Sequence, residues 1–270
     1  MTDDTPPAPK DLSERLSLAV AVAREAGLLT LDYFNRRGLQ VERKSDGTPV
    51  TVADRRAEEH IRQRVAADFP DDGILGEEMP EKTGSSGYRW ILDPIDGTKS
   101  FVQGVPLYGT LVGVEYGRQC VIGAMVIPAL DECIYAARGS GAWHVRGDGE
   151  PVRARVSAVS ELAESVFCVT SVNAFHQTGR AEAFERLRAT CRLTRGWGDC
   201  YGYLLVATGR AELMIDPVLS LWDMAALPPI LEEAGGTFTD WTGKPTIYGE
   251  EGIGSNGRIL EQVLEITRDR

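Results

Sequence analysis

The chain has 270 residues, 43% hydrophobic and 26% charged, which suits a globular protein with room for a sizeable core in one large or two smaller domains. Forty acidic against 29 basic residues give a formal charge of −11, which argues against non-specific nucleic-acid binding and leaves divalent metal ions or a cationic small molecule as compatible partners. No stretch approaches the roughly 18 apolar residues of a membrane span, and the five cysteines (Cys120, Cys133, Cys168, Cys191, Cys200) form no CxxC pair, so a reducing cytoplasm is expected and zinc or a disulfide framework is not.

Residues 1–10, with Asp3, Asp4, Pro6, Pro7 and Pro9, read as a disordered tail without the basic and apolar regions of a secretory leader. From Asp11 a three/four spacing of Leu12, Leu16, Ala19, Ala23, Ala26 and Leu29 predicts a long amphipathic helix, opened by Asp11 and Glu14 as a capping pair. Lys44-Ser45-Asp46-Gly47-Thr48-Pro49 predicts a turn, and a second helix opens near Thr51 and Asp54, with Ile61, Val65 and Phe69 on one face and Pro70 closing it. Strands are expected at residues 73–76 and 90–92, and the Gly-punctuated apolar runs of 107–145 predict an antiparallel meander. From about Val152 strands alternate with helices, at 181–190, 200–208 and 222–234, with a strand at 211–215. Pro228-Pro229 should kink that last helix or displace its start, and Gly235-Gly236 stops it. A boundary near 150 divides an N-terminal subdomain (11–150) from a C-terminal one (151–270), with the site between them.

Four acids stand at strand ends or helix starts: Glu77 after Ile74-Leu75-Gly76, Asp93 and Asp96 after Ile91-Leu92, and Asp223 after Leu221-Trp222. Burying an acid there is costly unless it is paired, caps a helix or binds a metal. Asp223 alone reads equally as a helix-start acid. The Asp93/Asp96 pair, stiffened by Pro94, carries more, because hard cations such as Mg²⁺ take oxygen ligands held in a fixed arrangement. Gly97-Thr98 then offers adjacent N–H groups for an anion, although the Thr98 hydroxyl serves equally as a helix cap. Two Mg²⁺ ions about 4 Å apart clamp an in-line phosphoryl transfer using carboxylates alone. None of the three histidines (His60, His144, His176) lies beside these motifs, so a catalytic histidine is not expected.

In order along the chain, Val50-Thr51-Val52-Ala53-Asp54, Gly76-Glu77-Glu78, the run 90–98 containing DPIDGT, and Leu221-Trp222-Asp223 followed by Leu231-Glu232-Glu233-Ala234-Gly235-Gly236 resemble the inositol monophosphatase family of Mg²⁺-dependent, lithium-sensitive phosphomonoesterases. The resemblance implies that Glu77, Asp93 and the Ile95 carbonyl hold one Mg²⁺, that Asp93, Asp96 and Asp223 hold a second, and that Glu77 serves a third through waters. It implies that Thr98, in contact with Asp54, orients the attacking water, and that the Gly97 and Thr98 N–H groups hold the phosphate. It further implies a layered α/β/α/β/α sandwich, an α/β (α+β) fold of the sugar-phosphatase type, and a homodimer.

Lys99-Ser100-Phe101, the run Gly104-Val105-Pro106-Leu107-Tyr108-Gly109 and the run 195–203 around Gly198-Asp199-Cys200 depart from typical inositol enzymes and are similar to the histidinol-phosphate phosphatase branch. Carboxylates such as Asp199 and Asp216 suit the ammonium and imidazole of histidinol phosphate through charge-assisted hydrogen bonds. Asp216 aligns with an acidic substrate contact of the inositol enzymes and so does not discriminate, whereas Asp199 does, or else caps the helix beginning near Cys200. The alternatives are an inositol-1-monophosphatase or broad sugar phosphatase, a phosphoadenosine-phosphate nucleotidase, and an inactive homologue acting as a scaffold.

Overall fold

The computed structural model describes residues 8–36, 40–43 and 49–268; residues 1–7 of the expected tail and 44–48 of the expected turn lie outside them. Helix α1 (Pro9–Leu31) starts earlier than the predicted Asp11, and Ala8 at its N-cap makes no side-chain bond. The expected Asp11/Glu14 capping pair is therefore corrected: Pro9, with φ preset for a helix and no N–H to satisfy, opens the first turn. A short hairpin of β1 (Val41–Arg43) and β2 (Pro49–Thr51) leads into α2 (Val52–Asp68). Thr51 and Asp54 form a reciprocal capping box at its start.

Strand β3 (Gly73–Gly76) pairs in parallel with β4 (Tyr88–Asp96), a longer strand than expected, because it carries the whole Asp93–Asp96 segment. After α3 (Thr98–Val102), the predicted meander appears as β5 (Gly109–Tyr116), β6 (Gln119–Ile127), β7 (Glu132–Ala137) and β8 (Gly141–Arg146), with β9 (Val152–Arg153) at the edge. These make a seven-stranded sheet in the order β3-β4-β5-β6-β7-β8-β9. Next come β10 (Val166–Val169), α4 (Val172–Gln177), α5 (Ala181–Thr190), β11 (Leu193–Arg195), α6 (Asp199–Ala207) and β12 (Leu213–Asp216). The helix expected over 222–234 is two helices, α7 (Leu221–Met224) and α8 (Leu227–Glu233), since Pro228 and Pro229 fit only the first turn of a new helix. β13 (Thr237–Thr239), β14 (Gly252–Ser255) and α9 (Leu260–Thr267) finish a five-stranded sheet ordered β11-β10-β12-β14-β13.

The period of two along the strands sorts side chains between layers. On β4, Trp90 and Leu92 join Leu18, Val22, Ile61 and Val65 of α1 and α2, whereas Ile91 faces the other way, into a core shared with Leu204, Met224 and Ile230. On β10, Cys168 enters that middle core while Phe167 and Val169 pack outward with Phe184, Leu187 and Val263. The result is the expected α/β/α/β/α sandwich, with α1 and α2 outside one sheet, α6, α7 and α8 between the sheets, and α4, α5 and α9 outside the other.

The middle layer rests on bare backbone. Gly113 of β5 and Gly123 of β6 are directly paired. A Cβ on Gly113 would lie 2.6 Å from Ala225, and one on Gly123 only 2.1 Å from the Ala226 carbonyl oxygen. The link between α7 and α8 thus lies directly on the sheet. All five cysteines are free thiols. Among the described residues no helix is long and apolar enough to cross a membrane.

Candidate functional site

Alternation along β4 turns Asp93 toward the middle layer, on the side of Ile91, and leaves it 2% exposed. The pairing of β4 with β5 then slips between Asp93 and Asp96. This irregularity at Pro94-Ile95 is held by Asp93 Oδ1 accepting the Ile95 N–H (3.1 Å) and by the Thr110 hydroxyl donating to the Pro94 carbonyl (2.9 Å). The slip lets Asp96 join Asp93 on the inner side, as a regular strand would not. Asp223 comes from α7, where it accepts the Ser220 N–H (2.7 Å) and completes a capping box. The structure gives it the helix-start role and also brings it to the aspartate pair.

The ligand oxygens of Asp93, Asp96 and Asp223 lie within 4.8 Å of one another. Burial pushes the Asp93 carboxyl well up, and the charges of Glu77, Asp96 and Asp223 push it further. Burial likewise raises Asp96, with Asp199 and Asp223 adding to the effect and the Cys200 N–H, 2.5 Å from Oδ2, opposing it. Crowded buried carboxylates of this kind are stable when a multivalent cation neutralises them, and an all-oxygen set suits a hard one. The residues therefore fit a metal. Glu77, at the end of β3 with its N–H on the Leu92 carbonyl (3.2 Å), stands outside the tight trio but acts on Asp93 and lines the same cleft.

Gly97 caps α3 in the left-handed region (φ 81°), which permits the sharp turn from strand to helix. Ala53, Ile95, Phe101 and Tyr108 form a small core that joins this turn to α2. Asp54 lies nearby, fully buried, with Oδ2 accepting both the N–H (2.8 Å) and the hydroxyl (2.7 Å) of Thr51. Its Oδ1 is buried with no hydrogen-bond partner among the described residues. Burial, only partly offset by Thr51 and reinforced by Glu78 and Glu77, raises its carboxyl to about 6. The Thr98 hydroxyl donates to the Ile95 carbonyl (3.1 Å), a local back-bond from the first residue of α3, so its hydrogen bond is not to Asp54.

A cleft of about 490 Å³ opens from the carboxylates and is lined by Lys99, Thr170, Gln177, Asp199, Tyr203 and Asp216, with Glu77, Asp96 and Asp223 at its floor. Asp199 does not cap α6: Gly198 is the N-cap, and no side-chain cap bond is made there. Instead Asp199 adopts φ 51°, a costly conformation for a residue with a Cβ, while its N–H donates to the Thr170 hydroxyl (2.8 Å). Its carboxylate lies over the DGT turn, where a Cβ on Gly97 would come within 3.0 Å of Oδ2, and it accepts a long bond from the Ser100 hydroxyl (3.4 Å). Burial raises its carboxyl, with the Ser100 bond and the Lys99 charge opposing. Asp216, at the end of β12, accepts the Thr170 N–H (3.3 Å) and the Tyr203 hydroxyl (3.2 Å); burial and the Asp199 charge outweigh these bonds and bring it to about 7.

Sequence reasoning missed the Cys200 N–H on Asp96 and the Thr170 and Tyr203 supports of Asp216. Tyr203 lay within a segment already singled out, but no spacing rule connects it to an acid on another element.

The model of the inositol monophosphatase family matches residues 11–270. A histidinol-phosphatase of Chlorobaculum parvum is 49% identical over 92% of this chain and 94% of its own, and one of Streptomyces coelicolor is 39% identical over 96% and 99%. Among solved structures, the extragenic suppressor protein SuhB of Bartonella henselae superposes with a TM-score of 0.87 at 30% identity, covering 95% of this chain and 99% of that one. Motif order, layered fold and carboxylate cluster agree with these matches: the chain belongs to the inositol monophosphatase family of metal-dependent phosphatases.

Proposed function

We propose that the protein hydrolyses L-histidinol phosphate to L-histidinol and inorganic phosphate with Mg²⁺ as its metal. The reading is carried by the 49% identity with the Chlorobaculum histidinol-phosphatase across nearly the whole of both chains. Asp199 supplies its physical basis, as a half-buried carboxylate held in a costly backbone conformation at the edge of the cleft. Such strain persists where the surroundings enforce it, often at binding sites.

In this reading Glu77, Asp93, the Ile95 carbonyl, Asp96 and Asp223 hold two or three Mg²⁺ ions. When bound, such ions polarise the phosphate and bring a water to its nucleophilic form near neutral pH. The chain's own residues bind, orient and move protons. Asp54 is the final proton acceptor: the Thr98 hydroxyl swings its proton from the Ile95 carbonyl to Asp54 Oδ1, unpartnered among the described residues, while its oxygen takes the proton of the attacking water. A carboxyl near 6 is poised for that role at neutral pH. The Gly97 and Thr98 N–H groups at the start of α3 take phosphate oxygens. Asp199 and Asp216 receive the ammonium and imidazole, with Tyr203 and Thr170 setting the Asp216 carboxylate. Subdomain 11–150 brings the DPIDGT segment and subdomain 151–270 completes the site. The protein is read as a cytoplasmic homodimer, and its free thiols suit a reducing compartment.

A second reading, inositol-1-phosphate or a broader sugar phosphate, draws on Asp216. Near 7, that carboxyl serves as either donor or acceptor to a neutral hydroxyl. Phosphate release from both esters at saturating Mg²⁺ is the test. A kcat/KM for inositol 1-phosphate equal to or above that for histidinol phosphate would overturn the first reading.

A further inference from the structure

Glu58 takes no part in the chemistry above, yet it is completely buried on α2, four residues after Asp54 and on the same helix face. Its Oε2 accepts the Glu78 N–H at 2.7 Å, and its Oε1 accepts the Met79 N–H at 3.1 Å. Arg62, one turn further along, donates from Nε to Glu58 Oε1 at 2.7 Å and from Nη2 to the Met79 carbonyl at 3.0 Å. Residues 78 and 79, directly after Glu77, are thus tied to α2 by charge-assisted bonds, the stronger kind.

The residue before Glu77 belongs to the same contact. A Cβ on Gly76 would lie 2.2–2.7 Å from the Glu58 carboxylate atoms, so the backbone at the end of β3 rests against that carboxylate and any side chain at 76 would displace it. On its other side, the Glu77 N–H is held by the Leu92 carbonyl, next to Asp93. Glu77 therefore emerges from a peptide fixed between β4 and Glu58. The helix that fixes it also carries Asp54 at its first turn.

We propose that Glu58, braced by Arg62, is a positioning residue that sets the approach of Glu77 to the metal. The proposal rests on the metal assignment given above. It separates Glu58 from a plain tie between helix and loop, which would support folding but leave metal affinity untouched. Supporting groups of this kind typically change metal affinity about 10–100-fold when removed.

The test is calorimetric titration of Mg²⁺ into metal-stripped wild type, Glu58→Gln, Gly76→Ala and Glu77→Gln, with melting temperatures recorded in EDTA. Gln keeps the volume of Glu58 but offers one acceptor where two are needed, and Ala at 76 pushes the carboxylate away. Both variants are expected to bind Mg²⁺ about 10–100-fold more weakly. The KM for the phosphate ester, measured at saturating Mg²⁺, should stay at the wild-type value. Wild-type Mg²⁺ affinity in these variants, whatever the change in melting temperature, overturns the proposal. If Glu58→Gln does not fold, Gly76→Ala decides by the same titration. Unchanged affinity in Glu77→Gln would instead sink the metal assignment itself, and the proposal with it.

Discussion

Replacing Asp199 by Asn changes one charge and little else. Asn tolerates the left-handed backbone that Asp199 adopts at φ 51°, and the bond from its N–H to Thr170 is made by the main chain, so the start of α6 stays in place. The amide oxygen still accepts the weak bond from Ser100. What disappears is a half-buried negative charge facing the cleft. Losing a hydrogen bond to a charged partner costs about 1.5–3 kcal/mol, which at 1.4 kcal/mol per decade is roughly a 10–150-fold loss in kcat/KM. The loss should fall on histidinol phosphate, whose ammonium requires the charge. A neutral inositol hydroxyl is served as well by an amide, and inositol 1-phosphate should be affected by less than about threefold. The assay is release of inorganic phosphate from each ester, with Mg²⁺ raised until the rate no longer changes, so that any effect through Asp96 is removed. An equal loss on both esters, or none on histidinol phosphate, would refute the assignment of Asp199 to the substrate cation.

Other substitutions separate roles that coincide in one side chain. Asp54→Asn keeps an acceptor for the Thr51 N–H and hydroxyl, so the melting temperature should hold while kcat falls about 10²-fold or more through loss of the proton acceptor; thermal melts and steady-state kinetics on one preparation decide. Chelation with EDTA should abolish phosphate release and lower the melting point, and adding Mg²⁺ at 100 times its dissociation constant should return about 2.7 kcal/mol of stability, read by calorimetry. Away from the cleft, Glu132 of β7 accepts bonds from His144 Nε2 (3.1 Å) and Arg210 (2.8 Å), tying the first sheet to the segment before β12. Burial would raise its carboxyl, but the His144 and Arg210 bonds and the Arg210 and Arg146 charges hold it down at about 2. A depressed carboxyl stabilises the fold above its unfolded value and loses that contribution as pH falls toward its folded one. Glu132→Gln should therefore cost about 1–3 kcal/mol in urea unfolding at pH 7, and the gap from wild type should narrow as pH falls from about 4.5 toward 2.

Local chemistry made part of this legible from sequence alone. The Thr51/Asp54 spacing foretold a helix start, and the same carboxylate is fully buried and feels the charges of Glu77 and Glu78. The proline pair at 228–229 foretold a displaced helix start, since its geometry is a property of the residues themselves. The failures have physical causes as well. At α1 a capping pair competed with a proline for the first turn, and the proline prevailed. For Asp199 the cap was the alternative to a substrate contact; it is not made, because the backbone turns the carboxylate toward residues a hundred positions upstream. The order of the five-stranded sheet and the bond from the Cys200 N–H to Asp96 depend on how distant segments pack, and no local periodicity encodes them. Glu58 escaped notice for the same reason: apart from Arg62 on its own helix, its partners are main-chain groups of a distant loop, which have no sequence signature.

The paired glycines under the α7–α8 link have a consequence for how such an enzyme diversifies. Because Gly113 and Gly123 bring the main chain of residues 225 and 226 onto the sheet, the separation between Asp223 and the Asp93/Asp96 strand is set by peptide against peptide. Side chains elsewhere in the molecule have little leverage over that distance. The walls of the cleft proposed to receive the leaving alcohol are carried instead by α4, the first turn of α6 and the end of β12. Mutation can therefore explore new alcohols along one rim of the cleft while the reacting centre keeps its spacing. Substrate choice can drift in such a scaffold without the chemistry having to be invented again.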